Sequence, residues 1–99
     1  MTYVTLFFAG LFLCNALPHL CAGVMGMPFP TPFGKPSGIG NSSPVVNVLW
    51  ATFNIVAGLA LFAWHPATLG ANPECLAMAL GALAMGLFSA HHFGKVRGR

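Results

Sequence analysis

The chain has 99 residues, of which 57% are hydrophobic and only 5% are charged. A soluble domain carries charge on roughly a quarter of its residues, so this composition excludes a fully aqueous surface, and the high apolar content excludes intrinsic disorder. A net charge of +3 gives too weak an electrostatic attraction to phosphates to predict a nucleic-acid partner. We expect residues 1–99 to form a single membrane domain, an all-α bundle of three transmembrane helices at residues 4–26, 45–64 and 75–93.

The first predicted span, residues 4–26, forms a helix about 34 Å long, which is enough to cross a bilayer. It lacks the positively charged start of a signal peptide, so we expect it to stay in the mature chain. Asn15 and His19 lie on one face of this helix together with small residues. Polar side chains inside a span need partners, so both are candidates for interhelical hydrogen bonds or for a ligand site.

A Pro- and Gly-rich loop at residues 27–44 connects the first two spans and is expected at the membrane interface. Its first half alternates Pro with aromatic residues and Thr, which favours an extended backbone. Its second half leads into a helix start, where backbone N–H groups favour anions. With Lys35, Ser42 and Ser43 this half is a candidate site for a phosphate or carboxylate, and the alternative interpretation is a rigid connector.

The second predicted span, residues 45–64, begins after Ser43-Pro44, a typical N-cap followed by Pro at the first helical position. Asn47 and Asn54 fall on one narrow stripe of this helix. Two carboxamides on a lipid-embedded face either join neighbouring helices through hydrogen bonds or line a pocket for a ligand. Both interpretations stay open at the level of the sequence.

The third predicted span, residues 75–93, follows Asn72-Pro73-Glu74, where the carboxylate complements the positive end of the helix dipole. Small residues recur on its faces and allow close approach of one or two neighbours, among them a second copy of the chain. The predicted helix-packing residues are Gly81, Ala82, Gly86 and Ala90.

The cysteines and histidines show no recognisable metal-ligand spacing, so we expect no metal and no cofactor. The three cysteines make an odd set without a CxxC pair, which is typical of small packing residues. A haem or metal site built from His19 and His91 is the weaker alternative.

The cations predict the orientation of the bundle. Three spans place Lys35 on the same side as Lys95, Arg97 and Arg99, and the N-terminus on the other side. Cytoplasmic loops carry the excess of Lys and Arg, so the N-terminus is expected outside and the C-terminus inside.

The segment at residues 15–50 contains the elements NxxPH, FPTPFGKP and SSPxxNxxW. In these elements it resembles a group of small bacterial membrane proteins, over about a third of the chain. The resemblance implies a three-span bacterial membrane protein, and it supplies no catalytic residue.

Function is therefore predicted from the distribution of polar residues. The first hypothesis is a non-enzymatic structural or accessory protein, which assembles as a homo-oligomer or within a larger membrane complex. The alternative is a lipid- or small-solute-binding or transport protein with a polar intramembrane pocket. An enzyme is disfavoured, since the single acidic residue sits at a helix start. We expect membrane lipids as partners and a multi-pass location in the bacterial inner membrane.

Overall fold

The computed structural model describes residues 1–98 and contains three long helices and a two-stranded ribbon. The helices are α1 (Thr2–Val24), α2 (Pro44–Trp64) and α3 (Pro73–Arg97), and the strands are β1 (Phe29–Pro30) and β2 (Asn41–Ser42). All three helices are long and apolar enough to cross a membrane. The expected all-α class is thus confirmed, with three helices that are long and apolar enough for the three predicted spans.

Both predicted helix starts are present. The Ser43 hydroxyl accepts a hydrogen bond from the Val46 N–H at 3.2 Å, and the Asn72 side chain accepts one from the Cys75 N–H at 2.9 Å. In both helices Pro follows the cap, where its missing N–H costs no hydrogen bond.

The end of α3 differs from the prediction. The helix does not end at residue 93 but continues to Arg97. Hydropathy falls at this point because Lys95 and Arg97 enter the sequence, but cations in the last turn favour the negative end of the helix dipole. The fall in hydropathy therefore marks the edge of the apolar segment and not the end of the helix. Arg99, part of the predicted basic tail, lies outside the described residues.

Helix α1 is the centre of the bundle and packs against both α2 and α3. Glycines allow the backbones of α1 and α3 to touch: a side chain at Gly81 would overlap the Phe7 carbonyl, and one at Gly10 would overlap that of Met78. Gly81 is the only buried residue of α3. Most of the outer surface is apolar side chains, which is the surface that lipid solvates.

The loop between α1 and α2 folds back on itself. Strands β1 and β2 pair antiparallel, with Phe29 opposite Ser42. The Thr31 side chain is 1% exposed, its hydroxyl shares a hydrogen bond with the Ser42 hydroxyl, and it also accepts one from the Phe33 N–H at 3.1 Å. This ribbon, which was not predicted from the sequence, closes the loop over one end of the bundle.

Candidate functional site

His19 lies near the C-terminal end of α1 and is only 2% exposed. Its Nδ1 is 2.9 Å from Asn47 Oδ1, and Asn47 Nδ2 lies 3.0, 3.2 and 3.1 Å from the carbonyl oxygens of Phe29, Ser42 and Ser43. Carbonyls only accept hydrogen bonds, so the carboxamide nitrogen must face them and Oδ1 must face the imidazole. Nδ1 of His19 therefore carries the proton, and in the neutral ring Nε2 is an acceptor.

A second hydrogen-bonded chain runs parallel to the first. Asn15 Nδ2 donates to Asn54 Oδ1 at 3.0 Å, and Asn54 Nδ2 donates to the Trp50 carbonyl at 2.8 Å. The polarity of this chain is again fixed by a backbone carbonyl, which leaves Asn15 Oδ1 as an acceptor. Asn47 and Asn54 are both fully buried, and both join α2 to α1.

A cavity of about 300 Å³ lies at the loop-covered end of the bundle, and all three helices and the loop contribute to its wall. Its polar side chains are Asn15, His19, Thr31 and His92. Its apolar part includes Trp50, Met85, Phe88 and Phe93. No Lys, Arg, Asp or Glu of the described chain lines this cavity. It is an uncharged space with a small number of hydrogen-bonding groups.

Two of these groups are left without a partner. Among residues 1–98, nothing hydrogen-bonds to Nε2 of His19 or to Oδ1 of Asn15. The Trp50 indole N–H is buried and also lacks an acceptor within the described residues. A polar group at membrane depth without a hydrogen-bond partner raises the free energy of the folded protein. A hydrogen bond from a bound molecule or a water to any of these atoms would therefore be stabilising.

Aromatic rings hold the His19 imidazole in place. Phe29, Trp50 and Phe93 surround it with ring centroids at 5.4, 6.4 and 6.2 Å, each nearly perpendicular to the imidazole. Such edge-on contacts, together with the Asn47 hydrogen bond, leave the ring little rotational freedom. The acceptor nitrogen is therefore preorganised.

The loop is joined to α3 by His92. Its Nε2 donates to the Gly38 carbonyl at 2.6 Å, and its ring stacks on Phe88 with centroids 5.7 Å apart. The adjacent His91, which was considered with His19 as a metal or haem pair, is exposed. Within residues 1–98 no three His, Cys, Asp or Glu side chains lie together as a metal site would require.

The residues predicted for an anion site lie in the loop and at the start of α2, outside the wall of the cavity. The Ser42 hydroxyl is bonded to Thr31, and the Ser43 hydroxyl caps α2 through the Val46 N–H. Lys35 is exposed and does not line the cavity. The structure thus brings together Asn15, His19, Asn47 and Asn54, and it leaves Lys35 apart from them.

Three cavity residues with hydrogen-bonding side chains were not predicted from the sequence, namely Thr31, Trp50 and His92. Trp50 was accessible to prediction, since it lies three residues after Asn47 and four before Asn54 and so shares their side of α2. Thr31 and His92 were not, because their positions depend on how the loop closes.

The three sequence elements NxxPH, FPTPFGKP and SSPxxNxxW meet around this cavity. NxxPH supplies Asn15 and His19, FPTPFGKP supplies Thr31, and SSPxxNxxW supplies Asn47 and Trp50. No protein-family model, curated protein or solved structure matches the chain. Its function therefore has to be inferred from the geometry of the cavity.

Proposed function

We propose that this chain is a non-enzymatic integral membrane protein that binds a small uncharged molecule with a hydrogen-bond donor, such as an alcohol, in the cavity. The observation that carries this proposal is the fixed polarity of the two hydrogen-bonded chains. Each begins at a backbone carbonyl and ends in an acceptor on a residue of the cavity wall, His19 Nε2 or Asn15 Oδ1.

The residues of the cavity wall also favour an uncharged ligand. An ion would need a counter-charge in this low-dielectric space, and no acidic or basic side chain of residues 1–98 lines the cavity. The volume of about 300 Å³ falls at the small end of ligand pockets. Cavities of roughly half this volume hold a benzene-sized molecule, so a six-carbon alcohol fits.

The proposed setting is the bacterial inner membrane, with the N-terminus outside and the C-terminus in the cytoplasm. The connectivity supports this orientation, because the loop with Lys35 and the end of α3 with Lys95 and Arg97 lie at the same end of the bundle. The positive-inside rule then places the cavity near the cytoplasmic surface.

A second candidate function is that of a structural or accessory subunit in a homo-oligomer or larger complex. It is supported by α3, which has only one buried residue and about half of whose residues are exposed. The predicted packing residues have different surroundings. Gly81 and Ala82 lie against α1, whereas Ala90 is exposed. The oligomer stays a prediction, which native mass spectrometry in mild detergent tests directly.

The two tryptophans provide the test of ligand binding. Trp50 lines the cavity, and Trp64 is exposed at the far end of α2. The Trp64→Phe variant, with Trp50 as its reporter, is titrated with 1-hexanol and with 1-methoxypentane, an ether of similar size without a donor. We expect a saturable change in Trp50 emission, with an affinity for the alcohol roughly tenfold higher than for the ether.

The Trp50→Phe variant is the control, since its Trp64 reports only partition of the alcohol into detergent. Its emission should change linearly, without saturation. Equal affinities for alcohol and ether, or no saturable response of Trp50, would overturn the proposal.

A further inference from the structure

A second concave surface follows the seam between α1 and α3 on the outside of the bundle. It consists of three linked depressions with volumes of about 260, 350 and 430 Å³. The first two share Arg97 and Phe93, and the second and third share Cys14 and Leu17. They form one groove, which we call the seam groove, from Arg97 at the loop-covered end to Met78 near the other end of α3.

The seam groove is separate from the cavity. Pro30 and Phe93 line both and form the wall between them, and the Phe93 ring packs on Phe29 with centroids 4.6 Å apart. Neither Asn15 nor His19 lines the groove. The following inference is therefore independent of the proposed function.

The groove is apolar along its length and charged at one end. Leu17, Pro18, Gly86 and Ala90 line its middle part. At its mouth lies Arg97, which lines both the first and the second depression. A surface with an apolar track and a cation at one end is complementary to a molecule with an apolar chain and an anionic head.

No acidic side chain of this protein can pair with Arg97. The sequence contains one Asp or Glu, which is Glu74. Glu74 lies in the first turn of α3 and Arg97 in its last turn, about 34 Å apart along the helix. No acidic side chain of this sequence therefore lies near Arg97 to compete with a bound anion.

The part of the groove between Arg97 and Gly86 matches one leaflet of a bilayer in length. From Arg97 to Gly86 the helix rises about 16 Å, close to half of the hydrocarbon thickness of about 30 Å. A lipid whose phosphate contacts Arg97 would thus lay its acyl chain over the middle part of the groove.

We propose that the seam groove binds one anionic phospholipid, with its phosphate on the Arg97 guanidinium and one acyl chain between Leu17 and Ala90. A guanidinium binds phosphate oxygens in a bidentate geometry, which favours Arg over Lys at such a position. Asn41 also lines the mouth of the groove and offers a carboxamide to the headgroup.

The test measures lipid retention by native mass spectrometry of the full chain in mild detergent, with added phosphatidylglycerol or phosphatidylcholine. The wild type should retain one phosphatidylglycerol and less phosphatidylcholine. Arg97→Ala should lower the affinity for phosphatidylglycerol about fivefold, as expected for the loss of one interfacial cation. Lys95→Ala is the matched control, because it removes the same charge from the same turn but does not line the groove.

A second pair of variants tests the middle part of the groove, where the acyl chain would lie, without a change in charge. Ala90 and Ala84 are both exposed on α3, but only Ala90 lines the groove. Ala90→Trp should reduce retention of phosphatidylglycerol severalfold, and Ala84→Trp should leave it at the wild-type level. The proposal is overturned if the wild type retains no phosphatidylglycerol, if Arg97→Ala and Lys95→Ala have equal effects, or if Ala90→Trp binds as Ala84→Trp does.

Discussion

Asn47 connects more parts of the chain than any other polar side chain described above. It has no exposed surface, and its carboxamide contacts the imidazole of His19 in α1 and carbonyls of both strands and of the start of α2. A leucine at this position keeps the branching of the side chain but has no hydrogen-bonding groups, and its two methyl groups take more space. The cost of such a substitution therefore combines the loss of the polar contacts with some overpacking.

We expect Asn47→Leu to lower the free energy of unfolding by about 2 kcal/mol, because buried carbonyls and the His19 Nδ1–H lose their partner. The measurement is reversible unfolding in mixed micelles. Asn41→Leu serves as the control, since Asn41 is exposed, and should change stability by less than about 0.5 kcal/mol. Equal stabilities of the two variants would show that the Asn47 network adds nothing to the fold.

At this scale the sequence indicated which residues matter but not their roles. The stripe of Asn47 and Asn54 and the polar face of Asn15 and His19 follow from helical periodicity alone. Whether these side chains join helices or line a pocket depends on which atom faces which neighbour. The structure places α2 carboxamides between helices and leaves the α1 residues at the cavity wall.

At the scale of the elements, helix starts were predictable because the signals are local. Ser43-Pro44 and Asn72-Pro73 each combine a capping side chain with a residue that tolerates the first helical position. The β1–β2 ribbon was not predictable in this way. Its strands have two residues each, and their pairing depends on contacts of the loop with α2 and α3.

The contact between α1 and α3 predicts opposite effects of an added methyl group at two glycines of α3. A methyl group at Gly81 would overlap the Phe7 carbonyl, whereas one at Gly86 would lie 3.8 Å from the Cys14 sulfur, an ordinary contact. We expect Gly81→Ala to destabilise the protein by about 2 kcal/mol through overpacking. Gly86→Ala should be neutral or stabilising by up to about 1 kcal/mol, since Ala is the better helix former.

Thermal unfolding of the two variants in the same detergent checks this prediction. The pair is matched, because both changes add one methyl group to the same helix. If Gly86→Ala proved the more damaging change, the close approach of α1 and α3 at Gly81 would be wrong. A loss of oligomers in Gly86→Ala with unchanged stability would instead favour the assembly function.

At the scale of the whole molecule, the number of helices followed from composition, but their arrangement did not. All three helices are apolar around most of their circumference, so periodicity gives little indication of which helix lies in the centre. The structure assigns the centre to α1, whose buried residues include Leu6, Ala9 and Ala16. This arrangement brings the ends of all three helices and the loop together around one cavity.

The proposed orientation of the whole molecule rests on the distribution of charge and can be tested with single cysteines. In a background with Cys14, Cys21 and Cys75 changed to Ala, one cysteine is placed at Ser37 in the loop or at Ala71 between α2 and α3. Both positions are exposed, and neither change alters a charge. With the N-terminus outside and the C-terminus inside, a membrane-impermeant maleimide applied to bacterial spheroplasts should label Ala71→Cys and not Ser37→Cys.

Permeabilisation provides the control, because both cysteines should then be labelled. The physical reason for the expected pattern is that Lys35, Lys95 and Arg97 all lie at the end of the bundle that carries Ser37. Labelling of Ser37→Cys in intact spheroplasts would place the cavity and the mouth of the seam groove at the outer surface. A lipid bound at Arg97 would then come from the outer leaflet, and a small ligand would reach the cavity from outside the cell.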